Sequence, residues 1–122
     1  MKELIGTGTA LITPFTEDYR IDFDALSRII EQQIAGGTNY FVMLGTTGES
    51  VTLSKEEKAA VVTHIKTVNA GRLPLVLGVG GNYTAEVVNQ LKNLDTNGLT
   101  AILSVSPYYN KPNQQGILHH YK

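Results

Sequence analysis

Apolar residues return along this chain in two alternating rhythms: short, nearly unbroken runs, and longer stretches where they recur every three or four residues. The first rhythm reads as buried strand and the second as amphipathic helix. The opening run carries Ala10, Leu11 and Ile12 in a strand expected from Gly8 to Thr13, ended by Pro14, which has no N–H to continue a ladder. Phe15 to Arg20 reads as a polar loop. Asp22 is placed to cap a helix whose apolar stripe is Phe23, Leu26, Ile29, Ile30 and Ile34, and Gly36-Gly37 stops it. A second strand is expected over Tyr40 to Leu44. Ser54 and Glu57 have the spacing of a capping box, in which hydroxyl and carboxylate satisfy each other's orphan N–H groups. The helix they open buries Val61, Val62, Ile65 and Val68 before Gly71 closes it. A third strand, Leu75 to Val79, runs into Gly80-Gly81-Asn82. Thr84 is the expected cap of the next helix, with Val87, Val88, Leu91 and Leu94 on its apolar face and Asn97-Gly98 at its end. The fourth strand is Ala101 to Val105, and a last helix begins near Asn113.

Apolar strands separated each time by one helix predict an α/β fold with a parallel sheet covered by helices. Two architectures compete: an open doubly wound sheet, and a (βα)8 barrel, which needs roughly 250 residues. The 122 residues here hold only four βα units, about half a barrel. The chain also stops inside an expected helix, where domain boundaries rarely fall, so the expectation is a piece of a longer protein. An isolated half would expose strand edges and its inner face and pair with itself, with missing chain, or aggregate.

Composition narrows the chemistry. Hydrophobic residues are 42% and charged residues 17%, the balance of a globular chain. A net charge of −1 offers no basic footprint for nucleic acid and no polybasic membrane patch. Without cysteine, disulfides, thiolate catalysis and thiolate metal sites are excluded. His64, His119 and His120 lack partners at metal-binding spacing, so no metal is expected. The N-terminus has no basic region followed by an apolar one, and no apolar run approaches the ~18 residues of a membrane span. A soluble cytoplasmic protein is the default expectation.

The most informative segment is Gly45-Thr46-Thr47-Gly48-Glu49-Ser50, directly after the second strand. In α/β folds ligands bind at the carboxyl ends of the strands. Two glycines that let the backbone turn, with two hydroxyls and their amides between them, suit a small anion; an ordinary Gly-rich turn is the competing reading. The segment lacks the Gly-Lys-Ser/Thr ending of a P-loop. Gly78-Val79-Gly80-Gly81-Asn82 has Tyr83 where a dinucleotide fingerprint needs its third glycine, and Asp95 meets the acidic position only weakly. Both nucleotide motifs are rejected.

Ser106-Pro107-Tyr108-Tyr109-Asn110-Lys111-Pro112 follows the fourth strand and therefore lies at the same end of the sheet. A tyrosine hydroxyl beside a threonine hydroxyl can pass a proton along a short chain; alternatively the pair packs a loop or an interface. Glu49 reads as a general base or as a loop-ordering residue. Asn82 and Glu86 can hold an amino group or simply cap and solvate. His119 and His120 read as exposed residues of a frayed terminal helix, and Arg28 and Arg72 as surface charge. Lys111, in a polar loop, is a poor Schiff-base candidate, since such lysines have their pKa lowered by burial or a cationic neighbour.

The two loops, together with Ala10-Leu11-Ile12-Thr13-Pro14-Phe15, Gly36-Gly37-Thr38, Leu53-Ser54-x-x-Glu57 and Gly78-Val79-Gly80-Gly81-Asn82, carry a resemblance. The chain resembles the N-terminal half of the dihydrodipicolinate synthase (4-hydroxy-tetrahydrodipicolinate synthase) family, over nearly all its residues. The rival within the same pyruvate aldolase superfamily is N-acetylneuraminate lyase; Thr46 in place of a serine and the Tyr-Tyr-Asn-Lys-Pro run favour the synthase.

The resemblance implies a (βα)8 barrel, with residues 1–122 the N-terminal part of its single domain. It implies a lyase of lysine (diaminopimelate) biosynthesis that condenses pyruvate with aspartate-4-semialdehyde through a lysine Schiff base, with no added cofactor. It further implies that Thr47 binds the pyruvate carboxylate, that Thr46 belongs to a proton relay, and that Tyr109 completes that relay in a neighbouring subunit across the tight dimer of a homotetramer. The family's Schiff-base lysine has no matching position here, so the 122-residue polypeptide is expected to be inactive by itself; the alternative of a different class is a non-catalytic half-barrel that serves as an assembly or binding module. Positions matching the family's lysine-effector site at the dimer interface are Val51, Asn82, Glu86 and Tyr108. Lys55 and Lys58 stand where lysine-sensitive members often have histidines, and added ammonium groups repel a cationic effector, so lysine inhibition is expected to be weak or absent.

Overall fold

The computed structural model describes residues 2–122. Four strands, β1 (Gly8–Ala10), β2 (Tyr40–Met43), β3 (Leu75–Gly78) and β4 (Ala101–Leu103), alternate with helices α1 (Phe23–Ala35), α2 (Lys55–Asn69), α3 (Thr84–Lys92) and α4 (Gln114–Tyr121). Single 3₁₀ turns lie at Lys2–Leu4, Thr46–Gly48 and Ser50–Thr52.

All three strand pairings are parallel and the sheet order is β1-β2-β3-β4. That order decides between the two architectures. A doubly wound sheet reverses direction at a switch point, and no reversal occurs among these strands. Successive right-handed crossovers stepping one way set α1, α2 and α3 on the same face, as in the wall of a barrel. Ala10, Val42, Val76 and Ala101 form one row across the sheet. The alternate positions Leu11, Phe41, Met43, Leu75 and Leu77 are buried with Leu26 and Ile30 of α1 and Val61 and Ile65 of α2. Each such side chain contributes about 1.5–3 kcal/mol of burial. On the other face Ile12, Leu103 and Val105 remain about half exposed. The outer edges of β1 and β4 carry no further strand among the described residues.

Strands are shorter than the apolar runs predict. Leu44 is left-handed (φ 56°), which ends β2 and leaves the segment after Ala10 with a single further ladder bond, Leu11 N–H to Val42 carbonyl at 2.9 Å. Three caps follow the sequence pattern: Asp22 accepts from Ala25 N–H at 2.7 Å, Ser54 and Glu57 form the reciprocal box, and Asn113 accepts from Gly116 N–H at 2.9 Å. Thr84 is not the cap of α3. Tyr83 occupies that position without a side-chain bond, and the Thr84 hydroxyl is hydrogen-bonded instead to His120 Nδ1 at 2.8 Å. This contact also corrects the view of α4 as frayed, since His120 is half-buried and Tyr121 donates to the Ser104 carbonyl at 3.1 Å.

Arg72 is more than surface charge. It forms a two-pronged pair with Glu31 of α1 at 2.9 and 2.5 Å and donates to the Val68 and Asn69 carbonyls at the end of α2. Asn69, fully buried, bonds both the N–H and the carbonyl of Leu73, fixing the entry to β3. The Arg72 hydrogen bond holds the Glu31 carboxyl below its ordinary range. A depressed carboxylate stabilises the fold above its unfolded pKa, and the contribution is lost as pH falls through the folded value. Arg72→Met is therefore expected to melt at lower temperature than the parent chain at pH 7. The gap should narrow as pH drops below the carboxylate range, leaving the part due to the pH-independent bonds to the Val68 and Asn69 carbonyls, read from thermal melts across pH; a gap of unchanged size in acid would refute the pairing.

Among the described residues, no helix is long and apolar enough to cross a membrane, and no group of three or more His, Asp or Glu side chains gathers as a metal site would.

Candidate active site

The loop after β2 is built at close quarters with β3 and β1. Gly78 has no room for a side chain: a Cβ there would stand 2.4 Å from the Leu44 carbonyl oxygen and 3.0 Å from the Gly45 nitrogen. The chain crosses Gly78 at this point, turns left-handed at Leu44, and enters the single turn Thr46–Gly48. Gly48 and Glu49 N–H close that turn on the Gly45 and Thr46 carbonyls at 3.0 and 3.1 Å. Glu49, also left-handed (φ 52°), ends it, and its carbonyl accepts from both the N–H and the hydroxyl of Thr52 at 2.9 Å. Glu49 thus orders the loop. The tight bends fall on Leu44 and Glu49, whereas Gly45 (φ −72°) has ordinary geometry; the expectation that the motif's own glycines make the turn is corrected. Gly48 matters for closeness instead, lying buried 3.1 Å (from its would-be Cβ) from the Leu11 carbonyl.

Thr46 and Thr47 are exposed at the start of this turn, where the first N–H groups have no intrahelical acceptor. Neither hydroxyl has a protein partner among the described residues. The result is two hydroxyls and two open amides with no full negative charge among them, an arrangement suited to a small carboxylate.

The loops after β3 and β4 meet beside it. A Cβ on Gly80 would sit 2.9 Å from the Val105 side chain, so glycine is what lets these two loops close up. Asn82 Oδ1 accepts from Tyr108 N–H at 2.7 Å, tying the two loops together. Tyr109 then projects into solvent, 87% exposed. A cleft of 590 Å³ opens between the three loops, lined among others by Gly45, Thr46, Val51, Lys58, Gly80 and Tyr108. It unites Thr46, Val51 and Tyr108; Thr47, Asn82, Glu86 and Tyr109 are not in its lining. Thr46 and Tyr109 make no hydrogen bond to each other within the chain. Glu86 lies in the adjoining groove between α2 and α3, where Lys55 Nζ approaches its carboxylate at 3.8 Å.

Sequence reasoning missed two residues that shape this site. Gly78 passed as part of a rejected nucleotide motif. Thr13 passed as part of an apolar motif, yet its hydroxyl, 5% exposed, donates to the Gly48 carbonyl at 2.7 Å. A buried acceptor stripped of such a donor costs about 1–3 kcal/mol. The available signal was the strand alternation, which puts Thr13 on the same inward face as Leu11.

Residues 3–122 match the sequence model of the Dihydrodipicolinate synthetase family. The chain belongs to this family. The chain is 56% identical over 122 residues to the 4-hydroxy-tetrahydrodipicolinate synthase of Flavobacterium psychrophilum, covering all of this chain and 42% of that relative. Among solved structures it resembles the chloride-inhibited dihydrodipicolinate synthase of Acinetobacter baumannii complexed with pyruvate, with a TM-score of 0.89 and 41% identity over 95% of this chain and 40% of that one. A monomeric dihydrodipicolinate synthase variant superposes with a TM-score of 0.88 and 36% identity, covering 95% of this chain and 38% of that one. The chain thus spans about two fifths of the length of the relatives it matches. The likeness agrees with the strand order: the four βα units are those of a dihydrodipicolinate synthetase barrel.

Proposed function

We propose that this chain is the N-terminal part of the single barrel domain of a 4-hydroxy-tetrahydrodipicolinate synthase, a lyase of lysine biosynthesis acting in the cytoplasm. The observation that carries the reading is the turn at Thr46–Gly48, with two unpartnered hydroxyls and open amides at the carboxyl end of β2. Thr47 receives the pyruvate carboxylate through hydroxyl and N–H. Pyruvate condenses with a lysine amine outside this chain, losing water to form an imine; loss of a methyl proton gives the enamine that attacks the aldehyde of aspartate-semialdehyde. Thr46 and Tyr109 move protons in that sequence. No cofactor is required, because the imine itself serves as the electron sink.

The exposure of Tyr109, at 87%, supports a role outside its own protomer's cleft. Val51 and Tyr108, both in the cleft lining, are likewise exposed and fit a dimer interface within a tetramer. Two observations support weak lysine feedback: Lys58 lines the cleft wall, and Lys55 Nζ already stands 3.8 Å from the Glu86 carboxylate in the adjoining groove, so a cationic effector would meet two ammonium groups. Lysine inhibition of the full-length product is therefore expected to be weak or absent; strong inhibition below about millimolar lysine, in a steady-state assay, would contradict this.

Intact mass spectrometry after incubation with pyruvate and borohydride tests the reading. The full-length gene product is expected to gain one reduced pyruvate adduct, on a lysine beyond residue 122, and the 122-residue polypeptide none. A full-length product without an adduct would sink the proposal. An adduct on the 122-residue chain would relocate the nucleophile.

A further inference from the structure

We propose that Thr13 is the positioning residue of the Thr46–Thr47 turn, setting through the Gly48 carbonyl where the carboxylate-binding groups stand. This rests on the reading above that the turn receives a carboxylate. Three observations lead to it.

First, Thr13 is itself a fixed post. On one side Leu11 N–H bonds the Val42 carbonyl at 2.9 Å; on the other the Pro14 carbonyl accepts from Asp22 N–H at 2.9 Å. Pro14 further confines Thr13 to extended backbone. Second, the Gly48 carbonyl has no acceptor duty inside the loop, since the turn closes on the Gly45 and Thr46 carbonyls and the next on that of Glu49. Its hydrogen bond is the 2.7 Å contact from the Thr13 hydroxyl, buried and 35 residues away in sequence. Third, the geometry has a polarity. In a helical turn carbonyls point to the carboxyl end and N–H groups to the amino end. Holding the Gly48 carbonyl therefore aims the opposite pole of the same turn, the one that carries Thr46 and Thr47. The close approach of Gly48 to the Leu11 carbonyl leaves the turn little freedom to tilt without stretching this bond. Thr13 has no hydrogen bond to Thr46 or Thr47; its bond is to the Gly48 backbone, and through that backbone it acts.

The test compares Thr13→Val, which keeps the shape and removes the donor, with Thr13→Ser, which keeps the donor, in the full-length gene product. Thr13→Val is expected to raise KM for pyruvate about tenfold, the equivalent of one lost hydrogen bond, with KM for the aldehyde unchanged. Thr13→Ser should restore pyruvate KM to within about twofold, the scale of context effects on one such bond. Should the valine variant not fold, Thr13→Cys, with only a weak S–H donor, takes its place and is expected to lie between the two. An unchanged pyruvate KM in the valine variant, or equal impairment in valine and serine variants, overturns the proposal. If the unaltered protein traps no pyruvate with borohydride, the functional reading has failed, and Thr13 is judged by amide hydrogen exchange. Faster exchange at Gly48 and Glu49 in Thr13→Val but not in Thr13→Ser upholds its positioning role; unchanged exchange overturns it.

Discussion

Gly78→Ala is expected to destabilise the chain by about 1–3 kcal/mol, the usual range for overpacking, and to displace the loop that carries Thr46 and Thr47. The added methyl would meet the Leu44 carbonyl oxygen at 2.4 Å, its carbon at 2.8 Å and the Gly45 nitrogen at 3.0 Å. All three are backbone atoms, so no side-chain rotation relieves the overlap. The strand and the loop must separate, in a region where β2 and β3 are held by parallel ladder bonds from Phe41 to Met43. Gly45→Ala is the matched control. That glycine has φ −72° and only the Val42 side chain near its would-be Cβ, at 3.8 Å, so alanine should cost less than about 0.5 kcal/mol as surface substitutions do. Urea unfolding of both variants measures the contrast. Equal stability of the two would refute the crowding argument.

In the full-length product, Thr47→Val should lower kcat/KM for pyruvate by about 10–100-fold, since hydrogen bonds to a charged group are worth about 1.5–3 kcal/mol. The loss should appear in pyruvate and not in the aldehyde, and Thr47→Ser should recover most of it. The fold should be indifferent, because the Thr47 side chain is exposed and makes no protein hydrogen bond among the described residues. A valine variant with unchanged pyruvate kinetics would remove Thr47 from the site.

How far the sequence could be read follows from the range of each interaction. The apolar stripes of α1 and α2 and the caps at Asp22, Ser54 and Asn113 depend on residues three or four apart, and all were readable. Thr84 misled because its hydroxyl is claimed by His120, 36 positions on. Arg72 looked idle because Glu31 lies 41 positions back. The loop motif was recognised by its glycines, yet the strained conformations sit on Leu44 and Glu49, where neighbouring elements over-determine the backbone. Gly78 acts across the sheet and nothing local marks it, while alternation marks Thr13 only as facing the core and not as the donor to Gly48, 35 positions on. Strand lengths were overestimated because apolar residues continue past the last ladder bond, as Ile12 and Val105 do.

Because the spatial order of the strands repeats their order in the chain, the sheet can grow as the polypeptide leaves the ribosome. Each new strand docks on an edge its predecessor has just exposed, and none must insert between two strands already paired. Every pairing spans one βα unit, so loop closure stays short at each step. Assembly in this direction has a cost in exposure: between steps the latest strand offers an open edge to any other extended chain nearby.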